Sequence, residues 1–283
     1  MNSHTYNAKY KAEIAKYGKK DAVIALVFYV YACVVLIIFG IILSMPNFPV
    51  GTTIQHTIST VLIVVPCLIL AKRSRHGIAS IGLHTRNFWP ALRLGLVFSG
   101  VALLFRNVLP GLVGGWDVQS MNQIMLMLYL CVTVALLEDT MFTGYIQTRI
   151  YGLIKNDIAA VLIVAFLFAF IHILSIAAIF DISTAFSTVF SLLMLFWIVT
   201  HVMYNLMFRR YFSLFPIMML HTSWNFGNSG IFILDETSSA VAIVAIAFFV
   251  LLFVLVAWLI ILRYKSRKIK ADGTKLESNY TNE

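Results

Sequence analysis

Apolar residues along this chain come in long unbroken blocks separated by short polar breaks. Eight blocks stand out, at about 22–45, 53–71, 90–110, 123–147, 158–180, 187–207, 213–234 and 239–263. Each is close to the roughly 20 residues a helix needs to cross about 30 Å of hydrocarbon. The pattern predicts an all-α membrane bundle of eight transmembrane helices. A polar, Lys-rich segment fills 1–21, the helices fill 22–264, and a basic then polar tail, expected to be disordered, fills 265–283. The first block exceeds the ~7–15 apolar residues of a signal peptide, and no small-residue cleavage site closes it. It is expected to stay as a helix.

Charge orients the bundle, because Lys and Arg gather in short cytoplasmic loops. The N-terminal segment is basic, and so are the breaks after the second block (Lys72, Arg73, Arg75, Arg86), the fourth (Arg149, Lys155) and the sixth (Arg209, Arg210). The end after the eighth is basic as well. The other breaks carry Asp117, Asp181, Asp235 and Glu236 without Lys or Arg. That alternation predicts eight spans with both termini cytoplasmic.

Composition agrees: 60% of residues are apolar and 12% charged, against about 25% charged in soluble domains. The net charge of +9 belongs to helix flanks, where it anchors the chain and attracts anionic lipid headgroups. No basic face with interleaved aromatics points to nucleic acid. Cys33, Cys67 and Cys131 lie inside spans without CxxC spacing, which leaves no disulfide framework or zinc ribbon to expect. No internal repeat or phosphate-binding loop is visible. The composition reads as that of a bacterial cell-membrane protein.

Candidate chemistry lies in the few polar residues inside the blocks, since ionisable groups at membrane depth are costly. The fourth block holds Glu138 and Asp139, followed by Phe142, Thr143, Gly144 and Tyr145. The fifth holds Phe168 and His172, and the seventh holds His221 and Asn225, one helical turn apart. Glu138, His172 and His221 are expected to converge in the cytoplasmic half of the membrane or near its midplane. Three chemistries could use them. A carboxylate beside two imidazoles can activate water, with imidazole and amide donors stabilising an oxyanion. The same three side chains could ligate a divalent metal, or relay protons in a transporter. The plain structural alternative is a set of interhelical hydrogen bonds.

The three motifs in this order resemble those of the CPBP intramembrane proteases, the CAAX- and bacteriocin-processing enzymes also called the Abi family. That family's first motif is Glu-Glu-x-x-x-Arg, its second Phe-x-x-x-His and its third His-x-x-x-Asn. The resemblance covers roughly 123–230 and includes Pro216 ahead of the third motif. A second His-x-x-x-Asn, His201 and Asn205, precedes Pro216 and is read as a coincidental copy. The resemblance implies an endopeptidase that cleaves a peptide or membrane-protein substrate near the cytoplasmic face. Glu138 would activate water, His172 would help hold it, and His221 with Asn225 would polarise the carbonyl. The soluble zinc signature His-Glu-x-x-His is absent, which favours a glutamate-driven mechanism without a cofactor and leaves open a divalent metal on Glu138, His172 and His221.

Two positions depart from the family pattern. Asp139 replaces the second Glu, and Thr143 replaces the Arg. Without that Arg, Asp139 is expected to be protonated or to pair with another helix, through a residue such as His201. These departures also fit a catalytically silent relative that serves as an immunity or regulatory binding module.

Overall fold

The computed structural model describes residues 4–44, 52–74, 77–84, 88–109, 117–179, 192–227 and 232–233. Helix α1 (His4–Ile14) leads into α2 (Lys19–Ser44) and α3 (Thr52–Lys72). A 3-10 turn (Gly77–Ile81) precedes α4 (Phe88–Leu103), which continues as a π turn, Leu104–Val108. Next come α5 (Met121–Glu138), an eight-residue π segment (Asp139–Ile146) and α6 (Gln147–Ile154), end to end in one rod. Then follow α7 (Asp157–Ile179), α8 (Leu192–Tyr211) and α9 (Phe215–Phe226). Two residue pairs, Asp117–Val118 and Phe232–Ile233, form a small antiparallel ribbon, β1 and β2.

Five of the described helices are long and apolar enough to cross a membrane: Lys19–Phe39, Thr53–Lys72, Phe88–Val108, Met121–Ile154 and Asp157–Leu174. They correspond to the first five apolar blocks and make this a multi-pass membrane protein. The rod Met121–Ile154 is 34 residues long, running past the end expected near 147. The sixth block overlaps α8, which runs on to Tyr211. Among its described residues the seventh holds the 12-residue α9, about 18 Å at 1.5 Å per residue, and the β2 pair. The eighth block, the C-terminal tail and loop residues Arg75, Arg86, Asp181, Asp235 and Glu236 lie outside the described residues.

Local signals explain the element ends. Ser120 and Gln123 close a reciprocal capping box at the start of α5. Lys155 adopts a left-handed conformation with φ 54° and ends α6. The Asn156 side chain then accepts the N–H groups of Ile158 and Ala159, opening α7. Pro216 falls in the first turn of α9, where its missing N–H costs no helical bond.

Two cations read from the sequence as loop charges are buried. Arg149 is held between the rings of Tyr17 and Tyr145, each 4.5 Å from its guanidinium carbon. It also donates to Ser80 Oγ at 2.7 Å and to Thr148 Oγ1 at 2.6 Å. Arg209 pairs with Asp157 across the α8–α7 contact. Both charges tie elements together, and neither lies free in a loop. The polar segment before the first span contributes to the interior too. Tyr10 and Ile14 of α1 are buried against Phe208 and Phe212 of the α8 end. Burial pushes the Tyr17 phenol up to about 12, and its hydroxyl donates to Glu13 Oε1 at 2.6 Å.

Gly152 marks the closest approach between α6 and the α1–α2 turn. A Cβ there would lie 2.2 Å from the Gly18 carbonyl oxygen and 2.7 Å from its carbon. Because backbone cannot swing aside, Gly152→Ala is expected to destabilise the bundle by about 1–3 kcal/mol. A thermal melt of the detergent-solubilised protein reads this directly, and an unchanged midpoint would contradict the close packing.

Candidate active site

Three helices that meet in the interior carry the three motifs: the rod α5–α6, α7 and α9. The acidic pair sits where α5 gives way to the π segment, with Glu138 as the last residue of α5 and Asp139 the first of the π turn. Consecutive residues on a helix point about 100° apart. The structure uses that divergence. Asp139 faces the interior and is 1% exposed, whereas the Glu138 side chain keeps 19% of its surface.

The Glu138 carboxylate faces both histidines. Its Oε1 lies 3.8 Å from His172 Nε2, and its Oε2 lies 3.6 Å from His221 Nε2. Neither distance is a direct hydrogen bond. Both are short enough for a water to bridge the carboxylate and the ring. The other nitrogen of each ring is occupied. His172 Nδ1 lies 2.8 Å from the Phe168 carbonyl oxygen, which can only accept, so Nδ1 carries the hydrogen. His221 Nδ1 lies 3.2 Å from Asp139 Oδ1. With Asp139 ionised, that nitrogen also donates. Each imidazole is thus aimed, with Nε2 turned to Glu138.

Aromatic walls fix the rings. His172 packs between Phe168 and Trp197, with both centroids 4.6 Å away. Tyr204 lies 5.2 Å from the His221 ring. Phe168 also meets Phe142 edge-on at 5.2 Å, so the second-motif aromatic braces the first-motif helix. Gly144 is needed for contact: a Cβ would lie 3.0 Å from the Ile81 carbonyl oxygen. That approach seats the π segment on the 3-10 turn.

Glu138, His172 and His221 therefore come together as the sequence suggested. Asn225 sits one turn beyond His221 on α9, half-buried, and its backbone carbonyl accepts the Gly227 N–H. Asp139 pairs with another helix, and the residue is His221 of the third motif in place of the His201 named as an example. His201 instead stacks on Phe168, with centroids 4.4 Å apart and planes at 14°. Thr143 is fully buried within the π segment. Among the described residues no set of three His, Cys, Asp or Glu side chains is gathered so as to hold a metal ion.

Sequence reading passed over the support for α9. Asn107, in the π turn that ends α4, donates to the Gly227 carbonyl at 3.1 Å. Beside it the Arg106 guanidinium lies 4.3 Å from the Trp224 ring centroid. Together they clamp the end of the helix that bears His221 and Asn225. A cation and an amide side by side within an apolar block were the available signal.

Residues 120–227 match the family model described as Type II CAAX prenyl endopeptidase Rce1-like. The matched segment contains all three motifs, and the match agrees with the resemblance to CPBP proteases drawn from them. Neither the curated proteins nor the solved structures give a match.

Proposed function

We propose that this membrane protein, whose residues 120–227 match the CAAX prenyl endopeptidase family, is an intramembrane endopeptidase with both termini on the cytoplasmic side. The observation that carries the reading is one carboxylate, Glu138, facing two aimed imidazoles inside the helix bundle. In the proposed step Glu138 takes a proton from a water held beside His172. The resulting hydroxide adds to the scissile carbonyl carbon. A His221 imidazolium, held by Asp139, offers Nε2–H to the oxyanion, and the Asn225 amide adds a second donor. The tetrahedral intermediate then expels the amine, which leaves with the proton carried by Glu138. No cofactor enters this step.

The substrate on this reading is a lipid-bearing or membrane-inserted peptide cut near the cytoplasmic face, as in CAAX or bacteriocin processing. A second reading, a silent immunity or regulatory module, draws on Thr143, whose buried hydroxyl has no protein partner where the family motif places Arg. Purified protein reconstituted with a prenylated CAAX peptide separates the two. Release of the C-terminal tripeptide, detected by mass spectrometry, is expected. A folded protein that cuts neither prenylated peptides nor membrane-inserted precursor peptides would overturn the peptidase reading.

A further inference from the structure

Behind the site, two rows of buried polar side chains run the same way along neighbouring helices. Asp139, Thr143 and Gln147 descend the π segment into α6, and His201, Asn205 and Arg209 descend α8 at the same four-residue spacing. All six are between 0% and 3% exposed. The rows share one interior space. At one end Phe142, on the π segment, meets the His201 ring at 5.7 Å. At the other, Gln147 donates to the Tyr10 hydroxyl at 3.0 Å, while the Arg209 guanidinium lies 5.9 Å from the same Tyr10 ring.

Between those ends the polar atoms have no protein partner. They are Asp139 Oδ2, Thr143 Oγ1, Gln147 Oε1, both ring nitrogens of His201, both amide atoms of Asn205, and Nε and Nη1 of Arg209. Native interiors satisfy nearly all such groups, with protein or with ordered water. So dense a run of orphans along one seam identifies its occupant by chemistry. The run mixes donors with acceptors: Arg209 only donates, Asp139 as a carboxylate only accepts, and His201, Asn205 and Thr143 do both. A cation would want acceptors alone and an anion donors alone. Water suits both.

We propose that the seam between the π segment and α8 holds a file of ordered waters, running from the Asp139–His221 pair to the basic end of the bundle where Arg209 meets Asp157. His201 and Asn205, the apparent copy of the third motif, are its central ligands. The file supplies the hydrolytic centre with water from behind while a peptide covers its open side. That use rests on the peptidase reading; the file itself does not.

Radiolytic hydroxyl-radical footprinting of the full chain in detergent tests the content of the seam, because radicals form at bound waters however deep they lie. His201 is expected to oxidise at a rate comparable to the partly exposed His172, while the equally buried Phe208 stays protected. Two near-isosteric apolar variants provide a second arm. With waters in place, Asn205→Leu and Thr143→Val strand them, and each is expected to lower Tm by roughly 2–4 °C. In a dry seam the same changes remove orphans and raise Tm. Protection of His201 at the level of Phe208, or a Tm raised by either variant, would overturn the file. If the file is present, Asn205→Leu is further expected to lower kcat severalfold with KM unchanged. An unchanged kcat beside an oxidised His201 would remove the supply role and leave the file standing.

Discussion

Glu138→Gln is expected to lower peptide cleavage by ~10²–10⁴-fold, the usual weight of a general base, with expression and melting temperature near those of the parent. The amide keeps the shape of the side chain and can still hydrogen-bond a water, but it cannot take the proton. Because Glu138 keeps 19% of its side-chain surface and makes no direct bond shorter than 3.6 Å, little of the fold depends on its charge. The two functional readings part here. A binding module tolerates Glu138→Gln almost silently, and a silent variant in a well-expressed protein would end the enzyme reading.

Asp139→Asn is the second large effect. Asp139 touches the site only through His221 Nδ1, at 3.2 Å, so it acts as a positioning residue that holds a proton on the ring and steadies an imidazolium. The neutral amide can present its NH2 to Nδ1 and turn the ring to the wrong tautomer. In serine proteases the equivalent change costs about 10⁴-fold in kcat with geometry intact. A loss on the order of 10²–10⁴ in kcat with little change in KM is expected. Equal losses in kcat/KM and in melting temperature would instead assign Asp139 a structural role.

The apolar blocks were legible because crossing a bilayer demands length, and five blocks reappear as spanning helices. The short α9 was not, since apolar residues beyond Phe226 make the block look longer than the helix. Arg149 and Arg209 show a second limit. A cation at the end of an apolar block reads as a flank, and only the fold brings up the Tyr17, Tyr145, Ser80 and Asp157 that bury them. In the site, spacing within helices found Glu138, His172 and His221. It could not find the Asp139–His221 contact, which joins residues 82 apart in sequence. The same limit left open which helix would partner Asp139 and hid the role of Asn107.

The π segment Asp139–Ile146 sets the site as an angle rather than as a depth. Below it, Gln147 and Arg149 are pinned to Tyr10 and Ser80; above it, the acidic pair must face α7 and α9. The wider π turn is the coupling that reconciles these two headings. Its i→i+5 bonds take up about one more residue per turn than an α-helix does. Wound at full length as ordinary α-helix, the stretch would gain about one residue's 100° of rotation. The lower half, held by its partners, would stay, and the acids would turn out of phase with both histidines. A one-residue deletion that closes the stretch into α-helix keeps the heading; regularising it at full length loses it.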